Sequence, residues 1–208
     1  YRDNYFFLLI LPAFLLTKNL MISVEHFQTG MSMAVGLFRV AILVMLERTL
    51  FDFMKGTFQV EILLNFWLNS AIKFLAAMLI FANLMPEQLS GGIALLLAIL
   101  LVGRLLYWKP QLGMSRLDIG IMYIGCLAVI AQLLIEFSRL TGDSAWTASL
   151  SIHVFTFGAM GLIIPAMIIR ISNGHTGRKV NFDARDKLVL WIMIIGFVCR
   201  VVAPQFDP

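Results

Sequence analysis

Long uninterrupted apolar runs govern what this chain can fold into. A helix that crosses roughly 30 Å of hydrocarbon needs about 20 mostly apolar residues. Seven windows meet that need: Tyr5–Val24, Phe27–Leu46, Val60–Leu84, Gly92–Trp108, Leu117–Phe137, Trp146–Ile171 and Leu188–Ala203. Continuous hydrophobicity, rather than short segments alternating in polarity, predicts helices and not barrel strands. The first window is the weakest, since Pro12 interrupts it and Lys18 lies inside it, although a lysine near a helix end can snorkel. Short loops carry the breakers Met85-Pro86, Ser90-Gly91-Gly92, Lys109-Pro110, Thr141-Gly142 and Asn173-Gly174. The prediction is an all-α fold, a polytopic transmembrane helical bundle of about seven spans, forming one transmembrane domain over residues 1–208.

Composition closes off the other classes. The chain is 60% hydrophobic and 13% charged, against about 25% charged in ordinary globular domains. A net charge of +4, interspersed and without a basic face of stacking aromatics, gives no nucleic-acid footprint. Cys126 and Cys199 lie in separate apolar runs and read as small buried hydrophobes. No basic leader with a small-residue cleavage site precedes Tyr5, and the chain reads as a piece of something longer.

Alternate loops divide the basic residues unevenly. Arg2, Arg48, Lys55, Arg104, Lys109, Arg116, Arg170, Arg178, Lys179, Arg185 and Lys187 fall on one side; Lys18, Arg139 and Arg200 fall on the other. By the positive-inside rule the first group faces the cytoplasm. Seven crossings would then start Tyr1 inside and leave Pro208 outside.

Ionisable groups at membrane depth are costly and mark candidate sites. Glu61, Asn65, Asn69 and Lys73 recur every four residues, which on one helix makes a slanting polar stripe. Such a stripe would line a polar or proton-conducting path, or serve as interhelical hydrogen-bonded glue. Arg39, in the second window, is expected to pair with Glu61 or Asn65, or else to anchor an anion or propionate. Gln132 and Glu136 lie one turn apart, and Glu136 is expected to be solvated near the outer interface.

The sixth window contains the most informative pattern. His153 opens it and His175 follows it, twenty-two residues on. At about 1.5 Å per residue this is some 33 Å, so the two imidazoles cannot share one metal ion. On a uniform α-helix they would lie about 40° apart. Imidazole is a common ligand of haem iron and copper, so each histidine is a ligand candidate near its own leaflet. A histidine at a helix C-terminus, or an interfacial polar residue, is the plainer alternative. Gly158 and Gly161 allow close approach of a helix or of a flat macrocycle. His26, the third histidine, falls on the same side as His153.

The segments His153-Val-Phe-Thr-Phe-Gly158-Ala-Met-Gly161 and Arg170-Ile-Ser-Asn-Gly174-His175-Thr-Gly177-Arg178 resemble the signature of the NnrS family. Glu47-Arg48-Thr-Leu-Phe-Asp-Phe is similar to another family segment, without its glycines and proline. The resemblance implies a bacterial inner-membrane protein of the nitric oxide response, binding haem and copper. It transfers His153, Arg170, His175 and Arg178 as cofactor-binding candidates, with His153 and His175 as metal ligands and Arg170 or Arg178 on haem propionates. Family members are about twice this length and carry a His-rich motif absent here. The chain therefore resembles their C-terminal half, and its expected partners are the bilayer and an N-terminal half or another membrane subunit. Two other functions stand beside this one: a transporter or channel using the Glu61–Lys73 stripe, and a purely structural subunit.

Overall fold

The computed structural model describes residues 5–62, 64–139, 146–177 and 182–203. All regular structure among them is helical. The helices are α1 (Tyr5–Ile22), α2 (Phe27–Phe58), α3 (Phe66–Met78), α4 (Glu87–Tyr107), α5 (Pro110–Gly113), α6 (Leu117–Ser138), α7 (Trp146–His153), α8 (Gly161–His175) and α9 (Ala184–Val202). A 3-10 segment, Leu79–Leu84, continues α3, and a wide π turn, Val154–Met160, joins α7 to α8.

Five helical stretches are long and apolar enough to cross a membrane: Phe27–Phe58, Phe66–Leu84, Glu87–Tyr107, Leu117–Ser138 and Ser149–His175. The remaining two of the seven expected windows fall short of that standard. The apolar stretch Leu8–Ile22 in α1 is shorter, and α9 carries Arg185, Asp186, Lys187 and Arg200 within nineteen residues. The protein is a multi-pass membrane helical bundle.

Two boundaries differ from the sequence expectation, each for a physical reason. Charges at Glu47 and Arg48 mark the expected end of the second window, yet α2 continues to Phe58. Leu46, Leu50 and Met54, spaced one turn apart, are all essentially fully buried and hold that extension against the bundle. The helix is thus 32 residues, about 48 Å, longer than a bilayer is thick. The third window starts late, because Asn65 sits outside α3 as its N-cap. Its Oδ1 accepts from Trp67 N at 3.0 Å and Leu68 N at 3.2 Å, two of the donors a helix start leaves without partners.

The central post is α6, which buries Ile119, Ile121, Met122, Tyr123, Cys126, Val129 and Leu133. It packs against α2, α4, α8 and the π turn. Lipid-facing surface is the complement: Trp67, Phe66 and Phe74 on α3, and Leu188, Ile192 and Ile195 on α9, are each more than half exposed. With no water to bind them, apolar side chains there cost nothing, and close contact inside must come from shape. Gly36 illustrates it. A Cβ on Gly36 would lie 2.8 Å from Ile80 Cα, so α2 and the 3-10 segment meet backbone to backbone. Gly158 likewise faces the Phe197 ring and Ala128 Cβ, at 2.7 and 2.8 Å from where a Cβ would stand.

The π turn resets the helix. Gly161 N–H bonds to Thr156 O, five residues back, so the turn is wider than α. It ends at Met160, five residues before Pro165, which lies inside α8. The 40° offset expected between His153 and His175 assumes uniform α-helix and does not survive this change of phase. Helix α8 also runs through Asn173-Gly174 to His175, and the chain turns at Gly177, φ +68°.

Gly36→Val should lower the thermal midpoint in detergent by the equivalent of about 1–3 kcal/mol, as overpacking against fixed backbone does. Gly103→Val, with nothing within 4 Å of its Cβ position, should change it little.

Candidate functional site

Charged residues inside the bundle collect in three places, and α6 supplies partners to two of them. Arg39 lies twelve residues, about 18 Å, from the start of α2, and about 28 Å from its end. It therefore belongs to the half of the bundle opposite Lys55, where the C-terminal end of α6 arrives. Its Nε donates to Gln132 Oε1 at 3.1 Å and its Nη2 to Glu136 Oε1 at 2.7 Å. Gln132 Nε2 donates in turn to Glu136 Oε1 and reaches Ser151 Oγ at 3.4 Å. Arg39, Gln132 and Ser151 are buried. The expected pairing of Arg39 with Glu61 or Asn65 is thus replaced by one with α6. Glu136, expected to be solvated, is 26% exposed and is also the ion-pair partner of Arg39. The new pairing follows from the true length of α2, which shifts Arg39 away from the end where Glu61 lies.

At the other end, Arg170 of α8 turns inward. Its Nη1 donates to Asp118 Oδ2 at 2.8 Å and its Nη2 to Thr57 Oγ1 at 3.0 Å, while the guanidinium stacks 3.9 Å above the Phe53 ring. Arg116 grips the same carboxylate with two hydrogen bonds, 3.1 and 3.0 Å long. This cluster ties α2, α6 and α8 together. It occupies two of the Arg170 nitrogens that a propionate would use. Arg178, the other propionate candidate, lies outside the described residues.

The four-residue polar stripe does not exist as one helix face. Glu61 lies in the non-helical segment before α3, where it pairs with Lys55 at 2.7 Å on the surface. That hydrogen bond holds the Glu61 carboxyl below its usual value. Its small contribution to stability is therefore present above the unfolded pKa and lost as pH falls through the folded one. Asn65 caps α3, Asn69 is buried, and Lys73 bonds Glu47 Oε1 of α2 at 3.0 Å. A continuous path along Glu61, Asn65, Asn69 and Lys73 loses its geometric basis.

The third collection escaped the sequence reading. Arg104, expected on a basic loop, is buried in the last turn of α4, 4.4 Å above the Trp108 ring. Among the described residues its Nε, Nη1 and Nη2, Trp108 Nε1 and Glu47 Oε2 have no protein hydrogen-bond partner. The signal available in sequence was the one-turn spacing of Arg104 and Trp108, which places guanidinium over indole.

The histidines stand apart, as the spacing requires. His153 closes α7 at the mouth of the π turn, its ring edge-on to Phe157 at 6.1 Å. Arg200 Nη2 of α9 bonds His153 Nε2 at 3.0 Å. Guanidinium only donates, so Nε2 accepts and the proton sits on Nδ1. His175 is exposed at the end of α8. His26 is exposed too, beside Ser23 Oγ at 3.3 Å.

These positions set what a cofactor would find. The junction of α7 with the π turn and the end of α8 each present one imidazole, suited to a single axial or copper ligand. Among the described residues no three His, Cys, Asp or Glu side chains gather as a metal cage would need. Gly158 is filled against by Phe197 and Ala128, so this glycine serves helix packing and leaves no slot for a macrocycle. The described residues therefore offer single ligands and not a closed coordination site.

Asp118→Asn should lower the thermal midpoint in detergent by the equivalent of about 3 kcal/mol, because it leaves Arg170 buried without its counter-charge. Glu61→Gln, which breaks an exposed pair, should leave the midpoint unchanged.

No curated protein and no solved structure matches the chain. The family model described as NnrS protein matches residues 1–208, the whole chain. The chain belongs to the NnrS family.

Proposed function

We propose that this protein is a haem- and copper-binding membrane protein that helps a bacterial cell resist nitric oxide, acting in the inner membrane. Family membership across the whole chain carries the reading. It is supported by the placement of His153 at the start of a π turn, a distortion frequent at functional sites. His153 and His175 are the ligand candidates, one toward each leaflet, and Arg178, three residues after His175 in the sequence, remains the propionate candidate. A bound haem iron or copper ion would supply the centre at which a small diatomic molecule can coordinate. The chain's own part is to hold it. His153 already has its proton on Nδ1 and its Nε2 lone pair directed outward to Arg200, so release of one hydrogen bond frees a ligand. Because each end contributes one imidazole, the remaining ligands come from an N-terminal half or another membrane subunit.

The cytoplasmic side is the end bearing Lys55, Arg116 and Lys187, by the positive-inside rule. His153 then lies toward the outer face and His175 toward the cytoplasm.

Protein purified in detergent together with its membrane partners should show a haem Soret band and contain copper by elemental analysis. His153→Ala and His175→Ala should each remove part of the signal, and the two losses should add, because the sites are separate. A preparation with neither haem nor copper would refute the reading. So would full occupancy in the double variant.

A further inference from the structure

A partly open cavity of about 340 Å³ lies at the Glu136 end of the bundle, between α2, the 3-10 segment, α6 and α7. Its walls mix the apolar side chains of Val35, Leu79 and Ile152 with Arg39, Gln132, Glu136, Arg139 and Ser151. The size is at the low end for small-molecule sites, which run from about 300 to 1,000 Å³. His153 does not line it, so the cavity is independent of the cofactor reading.

Its chemistry points to an anion. Arg39 is 2% exposed, and two of its nitrogens are committed to Gln132 and Glu136. No hydrogen bond to protein engages the third, Nη1, among the described residues. Arg139, at the end of α6, lines the same cavity with an exposed side chain. The lining thus holds two guanidinium groups and one carboxylate, and an adjoining cavity that shares Glu136 and Arg139 adds Glu87. Glu136 is already engaged by Arg39, which leaves Arg139 at the mouth as a cation that a bound negative charge would meet. Guanidinium nitrogens match the paired oxygens of a carboxylate or phosphate, and the Ser151 hydroxyl and Gln132 amide add neutral polar groups beside them. The apolar walls leave room for a short hydrocarbon tail.

We infer that this cavity binds a small, singly charged oxyanion bearing a short apolar group. That chemistry has two sources: the carboxylate of a small solute, and the phosphodiester of a lipid headgroup reaching in from the adjacent leaflet.

The test uses the full chain, purified in detergent and stripped of phospholipid, and titrated with sodium butyrate while the thermal midpoint and the heat of binding are recorded. Butyrate should stabilise the protein saturably, butylamine should not, and Arg139→Gln should weaken butyrate at least tenfold. Arg139 is exposed, so Arg139→Gln should fold as the parent does, which its unliganded midpoint checks. Ser151→Ala should weaken binding less. In a second arm, mass spectrometry counts phospholipid retained before stripping. Lipid lost in Arg139→Gln, with no butyrate response, would confirm the anion site and assign it to a headgroup. Absence of both responses would overturn the inference. Responses that Arg139→Gln leaves unchanged would overturn it too.

Discussion

Among the described residues three arginines are buried between helices, and α6 carries a carboxylate for two of them. Glu136, with Gln132, meets Arg39 of α2 near one end. Asp118 meets Arg170 of α8 near the other. Such pairs contribute little net stability over a hydrophobic substitute, yet removing one partner leaves an uncompensated charge. Their effect is to fix register: α2 and α8 cannot slide along α6 without breaking one pair or the other. The rest of the bundle arranges itself on this frame, with α4 and the π turn packed on α6 and glycines setting the close approaches.

Much of the fold was legible in the sequence, because a run of some twenty apolar residues has few other uses. Ends were less so. The charges Glu47, Arg48, Asp52 and Lys55 imitate a loop, yet Leu46, Leu50 and Met54 between them keep helical spacing and are buried. Asn65 imitated one step of a polar stripe, yet an asparagine directly before an apolar run is also a capping signal. Both errors displaced the charges they concerned, which is why Arg39 was assigned the wrong partners. The Arg39–Glu136 contact joins residues 97 apart, and no local pattern encodes it.

The candidate site was legible to a different degree. Histidine spacing separates His153 from His175, and the described structure keeps them apart on one continuous helical unit, with the π turn and α8 between them. It could not report the π turn, whose extra width comes from backbone hydrogen bonds, nor Arg200, which reaches His153 from a helix 47 residues later. Arg170, grouped with the histidines by resemblance, instead spends two nitrogens on Asp118 and Thr57. Resemblance named the family, which the whole-chain match shows, and left the tasks of individual residues to be read from geometry. Paired charges hold the span that presents the histidines, while Arg39 and Arg139 line a separate cavity.

The claim that α6 carries the frame is tested most directly by exchanging charges across its Glu136 end. Arg39→Glu and Glu136→Arg should each lower the thermal midpoint of the detergent-purified protein, since each places like charges face to face. The double exchange should recover most of that loss, because the pair is restored in reverse. Additive losses in the double variant, or single exchanges that change nothing, would contradict the account.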